Sequence, residues 1–190
     1  MIGRLFRTAV RLAPFVATAA WLADRYLRDR ADGGPPAAVP SLVVVDADIE
    51  TTWRFLADIE RQPEWMLDLR SVRFVTPPPV GVGSRAIGVV RILGVTVEDP
   101  VEITEFTAPT RFAICHEGLF TGGGVITLEP GADGSTTIVR WDETLIAPLL
   151  PHLAAVLLRP VFARVFQDDL SRFAKLVAAE AAAAVEATGA

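Results

Sequence analysis

A chain of 190 residues, 51% of them hydrophobic, is long enough for one domain of ordinary size plus an appendage. Its net charge of −5 conceals an asymmetry: residues 1–30 carry six arginines against Asp24 and Asp29, a local +4, which leaves −9 on residues 31–190. An acidic body without a basic stripe argues against nucleic-acid binding, and a single cysteine, Cys115, excludes an intrachain disulfide and a cysteine-based metal framework.

At helical spacing Arg4, Arg7, Arg11, Thr18 and Arg25 share one face of residues 1–30, while Ile2, Leu5, Phe6, Leu12, Val16 and Ala20 lie opposite. The longest uncharged run, Leu12 to Ala23, holds twelve residues, fewer than the roughly 20 that cross a bilayer. The expectation is an amphipathic helix that makes peripheral contact with an anionic membrane. Packing of this helix on the body or on a second copy is the alternative. A signal cleaved after Ala17-Thr18-Ala19 is a third, opposed by the short apolar stretch and by Pro14. The expected location is the cytoplasm, at the inner face of the membrane; the oligomeric state is not fixed by the sequence.

Residues 31–40, ADGGPPAAVP, have linker composition, and the folded body is expected over 41–180, followed by an Ala-rich tail over 181–190. Val43, Val45 and Ala47 alternate as a first strand that runs into Asp48, an N-cap with Glu50 in the first turn. Trp53, Leu56 and Ile59 give the following short helix an apolar side, and Gln62-Pro63 redirects it into a second turn with Trp65.

Strand character then recurs over Ser71–Val75, Ser84–Leu93, Val95–Phe106, Arg111–Glu117, Gly124–Glu129 and Thr136–Leu145. The breaks, including Gly81-Val82-Gly83, Ala108-Pro109 and Gly122-Gly123-Gly124, are short enough for an antiparallel meander. After Pro148, Phe162, Phe166, Leu170, Phe173 and Val177 recur at helical spacing, opposite Arg164, Gln167, Asp168, Ser171, Arg172 and Lys175. Pro151 and Pro160 mark Leu149 to Arg159 as a separate or kinked lead-in. The fold class is therefore α+β, a curved antiparallel sheet closed by a long C-terminal helix, with the amphipathic helix in front.

This order resembles the SRPBCC or START-like superfamily, including its polyketide cyclase/dehydrase and coenzyme-Q-binding branches. Val45-Asp46-Ala47-Asp48-Ile49-Glu50-Thr51-Thr52-Trp53 looks like the family's opening, although Asp48 and Ile49 stand where a proline is frequent. Asp58-Ile59-Glu60-Arg61-Gln62-Pro63-Glu64-Trp65 is similar to its Asp-x-x-x-x-Pro-x-Trp signature. The resemblance covers about 140 residues and implies a helix-grip fold around an apolar pocket, but it does not select an activity.

In such a fold Gly88, Ala113, Gly122 and Gly124 would leave room, while Phe112, Ile114, Ile126, Val139 and Trp141 line the pocket from the strands. Phe162, Phe166 and Leu170 would form the lid, and Trp65 joins the ligand-binding set. The alternative for each is an ordinary place in a dry core. His116 shares parity with Phe112 and Ile114, so it is a candidate to bond a ligand carbonyl or phenol or to act as a general base, the alternative being a strand-end histidine bonded to backbone or water. His152 is expected exposed on the last helical region. Asp58, Glu60, Glu64 and Asp68 read as solvated helix surface. Of Arg91, Arg140, Asp142 and Glu143, most should face water; one turned inward would anchor a polar head.

No metal-ligand or nucleophile-elbow pattern is present, so neither metal nor other cofactor is expected and no catalytic residue is assigned. The leading expectation is binding, transport or chaperoning of a hydrophobic small molecule such as a lipid, quinone or polyketide. The rival is a polyketide cyclase/dehydratase that uses the same cavity with His116 as base. A protein-interaction module would instead have a filled cavity and an exposed apolar patch around Leu149–Phe162.

Overall fold

The computed structural model describes residues 2–92 and 94–188, with side chains described outside residues 2–12, 92 and 188. The expected basic face of Arg4, Arg7 and Arg11 and its apolar partners up to Leu12 thus lie outside the described side chains. Leu93, at the end of an expected strand, and the last two residues of the Ala-rich tail lie outside the described residues.

Helix α1 (Ile2–Arg30) leads to strand β1 (Val39–Val45), helix α2 (Ile49–Ala57) and a 3-10 segment (Ile59–Glu64). Six strands follow: β2 (Leu69–Phe74), β3 (Arg85–Ile92), β4 (Val95–Thr107), β5 (Arg111–Glu117), β6 (Thr121–Pro130) and β7 (Thr137–Ile146). Helix α3 (Pro151–Thr188) closes the chain. All pairings are antiparallel, in the order β1-β7-β6-β5-β4-β3-β2, so the meander β2 to β7 is completed by β1 on the far side of β7.

Local chemistry sets several boundaries. Asp48, with extended backbone, accepts from the Thr51 amide at 2.8 Å and starts α2. The Thr51 amide bond also holds the Asp48 carboxyl below its usual range. The short helices and α3 cover the concave face of the sheet. Beneath them Trp65 packs edge-on against Trp141 and Phe173, with Leu56, Leu128, Val139, Leu170 and Val177 fully buried around them.

Polar grips fix where α3 lies. Gln167 bonds both backbone groups of Leu42 on the free edge of β1 (3.3 and 3.0 Å), Asp169 accepts from the Leu67 amide at 3.0 Å, and Arg172 donates to the Glu64 carbonyl at 2.7 Å. Gln167 and Arg172, expected in water, thus anchor the helix to its neighbours. These bonds satisfy backbone groups that an edge strand and a turn would otherwise leave unpaired.

Three sequence expectations are corrected. Pro160 does not divide the last region: α3 is one helix from Pro151 onward. Gly122-Gly123-Gly124 is not a break but part of β6, paired with β5 and β7. At Gly122, φ of 115° suits glycine, and a Cβ there would strike the Thr144 backbone, so the run lets three strands come together where side chains would not fit. His152, expected exposed, is buried. Its Nε2 donates to the Gly34 carbonyl at 3.0 Å, because α1 and the segment after it cover the start of α3.

The α1–α3 contact rests on Asp24, whose Oδ1 accepts from the amides of His152 and Leu153 at 2.8 and 2.9 Å. These are first-turn amides of α3, which no carbonyl within the helix can satisfy, so α1 supplies a carboxylate cap across space. The N-terminal helix therefore packs on the body. Among the described residues no helix is long and apolar enough to cross a membrane.

Candidate functional site

Toward the middle of the sheet the core gives way to a cavity of about 600 Å³ between the strands and α3. Inner-face parity carries each strand from solid core into the cavity wall. On β7, Val139 is core, whereas Trp141, Glu143 and Leu145 line the space. On β6 the same transition runs from Leu128 to Ile126 and Gly124, and on β5 the wall is Phe112, Ile114 and His116. Phe162 and Phe166, stacked with ring centroids 5.7 Å apart, form the helical side, and Phe166 leans on Trp141 at 4.9 Å.

Of the nine residues expected to contact a ligand, Phe112, Ile114, His116, Ile126, Trp141, Phe162 and Phe166 lie on the cavity wall. Trp65 and Leu170 do not: both are buried beneath the adjoining core, where Trp65 wedges between Trp141 and Phe173. Among the residues expected to leave room, Gly88 and Gly124 line the cavity. Gly122 and Ala113 do not, and neither does Val139, which was expected on the wall. Ala113 has the parity opposite to Phe112, and Val139 lies deeper in the core.

The sharpest polar feature is built around His116. Its Nδ1 stands 2.7 Å from Asp99 Oδ2 and its Nε2 3.1 Å from Glu143 Oε1, while Glu143 Oε2 accepts from Trp141 Nε1 at 2.9 Å. The register explains the cluster: His116 pairs with Val101 on β4 and Gly122 on β6, so Asp99 and Glu143 reach it from diagonal positions on the same face. Gly124 is the enabling residue, since a Cβ there would overlap the Glu143 carboxylate.

Burial disfavours the charged imidazole, but hydrogen bonds to Asp99 and Glu143, together with their charges, outweigh it and raise the His116 pKa to about 10. With both nitrogens engaged, His116 is an imidazolium donor at neutral pH. The expectation that it serves as a general base is therefore corrected: it has no lone pair to offer. The carboxylates sit on opposite ring edges, so the trio cannot converge on one ion. Among the described residues no His, Cys, Asp or Glu cluster is arranged to hold a metal.

Across the cavity, Asp169 of α3 lines the wall and is 3% exposed. Burial, opposed by the Leu67 amide and reinforced by Asp68 and Asp168, pushes its carboxyl up to about 6. Asp68 also lines the cavity, and Arg70, Arg91 and Glu98 join it at exposed positions; the other acidic residues around the short helices do not. Of the four strand charges weighed from the sequence, Glu143 is the one turned fully inward, at 3% exposure.

Asp99 and Asp169 escaped the sequence reading, although each left a signal. Asp99 shares parity with Val101 and Ile103 on β4. Asp169 falls inside the apolar stripe of α3, three residues after Phe166 and four before Phe173, where a charge has to have a reason.

The family model described as polyketide cyclase / dehydrase and lipid transport matches residues 37–178. No curated protein matches the chain significantly. Among solved structures, a Thermus thermophilus protein superposes with a TM-score of 0.57 at 20% identity, covering 77% of this chain and 98% of its own. A START superfamily protein from Mycobacterium smegmatis gives 0.56 at 18% identity, over 76% and 97%. The ZhuI aromatase/cyclase from Streptomyces sp. R1128 gives 0.60 at 17% identity, over 74% and 92%. At these identities the likeness is one of fold.

Proposed function

Because the chain belongs to the polyketide cyclase / dehydrase and lipid transport family, whose helix-grip fold houses hydrophobic ligands, we propose that its cavity binds and carries a lipophilic small molecule. The observation that carries this reading is the unfilled space of about 600 Å³ walled by Phe112, Ile114, Ile126, Trp141, Phe162 and Phe166. Withdrawal of apolar ligand surface from water supplies about 25 cal/mol per Å², less the cost of ordering the ligand. The cyclase alternative loses its base at His116, which favours carriage over catalysis.

The test is solvent extraction and mass spectrometry of the full-length protein after incubation with a total lipid extract. Wild type should retain apolar molecules that the cavity-filled variant Ile114→Trp/Val101→Phe does not. Equal, trace amounts on both would defeat the proposal.

We further infer that α1 brings the cavity to an anionic lipid surface. Phe15, Val16, Trp21, Leu22 and Tyr26 are exposed on α1, and Val156, Leu157 and Val161 are exposed on the adjoining helix α3. Six arginines among the first 30 residues provide the complementary charge. Leu119 and Val161 are exposed and also line the cavity, so an apolar route leads inward from this side. Full-length protein should float with phosphatidylglycerol vesicles, and Phe15→Glu/Trp21→Glu should stay in the soluble fraction. Equal flotation of both proteins would refute the membrane role.

A further inference from the structure

The charges on the cavity wall, with Glu143 and Asp169 buried and Asp99 partly so, restrict what head group the cavity admits. Three carboxylates, Asp99, Glu143 and Asp169, face a single imidazolium, His116, in the wall. Every donor of that cluster is already used: both His116 nitrogens and the Trp141 Nε1 point at carboxylate oxygens. The other cationic side chains on the wall, Arg70 and Arg91, are exposed, and Asp68 and Glu98 accompany them on the same side of the sheet. Gln62, buried on the wall, is neutral and balances no charge.

Acceptors, by contrast, are left over. Asp169 Oδ1 takes the Leu67 amide and Asp99 Oδ2 takes His116, but Asp169 Oδ2 and Asp99 Oδ1 have no hydrogen-bond partner among the described residues. Neither oxygen is sealed off, so each can accept a hydrogen bond from an incoming hydroxyl or amine in place of water. An incoming carboxylate or phosphate meets like charge there in a medium that screens poorly, and the His116 cluster has no free donor to compensate.

We propose that the cavity selects lipophiles whose polar head donates a hydrogen bond and carries no negative charge, and that it turns away fatty acids and other anionic lipids through Asp169 and Asp99. This rests on the cavity being a ligand site and adds the chemical class of the ligand.

The experiment displaces the neutral fluorophore N-phenyl-1-naphthylamine from full-length protein at pH 8 with decan-1-ol or decanoate, which share a chain length and differ in the head. Decanol should displace it at least tenfold more effectively than decanoate. Because water also holds an anion back, the second arm uses Asp169→Asn and Asp99→Asn, which keep the shape and remove the charge. The preference for the alcohol should fall at least threefold in one or both. Equal or stronger displacement by decanoate overturns the proposal, as does an unchanged preference in both variants. Failure of the fluorophore to bind at all would instead remove the ligand site itself, and the selectivity with it.

Discussion

His116 and Asp169 make opposite use of burial. His116 keeps its charge because two carboxylates hold it, so its pKa moves from 6.5 to about 10. The stability that this cluster contributes is fully present below pH 6.5 and is lost as pH rises through about 10. Asp169 lacks a compensating cation in contact, and its carboxyl rises from 3.8 to about 6. A raised acid favours the folded state while protonated, so its contribution is present below pH 3.8 and is lost as pH rises through about 6. Asp169→Asn should therefore match wild type in urea unfolding near pH 4 and exceed it at pH 8 by on the order of 1 kcal/mol. His116→Ala should cost about 3 kcal/mol at pH 7, since it leaves the buried Glu143 carboxylate and the partly buried Asp99 without their partner. A loss no larger than that of an exposed substitution would mean that water enters the cluster freely.

Gly124 gives the same cluster a steric test. A methyl group there would meet the Glu143 carboxylate and lie 3.2 Å from Trp141 Nε1, whereas one at Gly81 would meet nothing within 4 Å. Gly124→Ala should lower stability by about 1–3 kcal/mol and Gly81→Ala should leave it unchanged. Equal midpoints in urea would show that Glu143 can move aside without penalty.

At the scale of the elements, the strands and α3 were legible because their hydrophobic periods are strong. The span of β5 is the one read from Arg111–Glu117, and the Phe162-to-Val177 stripe marks the helical face that meets the sheet. What escaped was chemistry that depends on partners distant in sequence. Pro160 was read as an interruption, yet an edge strand and a turn hold α3 through Gln167, Asp169 and Arg172. The glycine run was read as a turn because glycine usually marks one; whether it instead lies between close strands is decided by what faces it, here Thr144 and Glu143.

Asp24 is the plainest case, because its role as a cap for α3 lies 128 residues away in the chain. Asp24→Ala should cost about 1 kcal/mol and speed hydrogen exchange at the His152 and Leu153 amides, with Asp24→Asn retaining much of the protection. Unchanged exchange in Asp24→Ala would show that α1 does not hold the start of α3.

Across the whole molecule, the sheet bends around α3 with Trp65 and Phe173 packed edge-on in a solid core at one end and gives way to open space at the other. The pocket was implied by the resemblance to the START-like superfamily, its lid came from the helical spacing of Phe162, Phe166 and Leu170, and most of its apolar wall from alternation along the strands. Its depth did not, because parity assigns a side chain to the inner face without saying where core ends and cavity begins. That is why Val139 proved to be core while Ile126 and Trp141 reach the space. The acidic character of the interior was equally hidden, since a formal charge becomes a constraint only when burial and the lack of a cation are known.

Whether this space is kept open for a lipophile is read by a fluorescence titration of N-phenyl-1-naphthylamine into wild type and into Ile114→Trp/Val101→Phe, two neighbouring residues of the cavity wall. Wild type should bind saturably with one molecule per chain, and the filled variant, folded by circular dichroism, should show at least a tenfold weaker affinity. Indistinguishable binding by the two proteins, or none by wild type, would mean that the cavity is not a site for a lipophile.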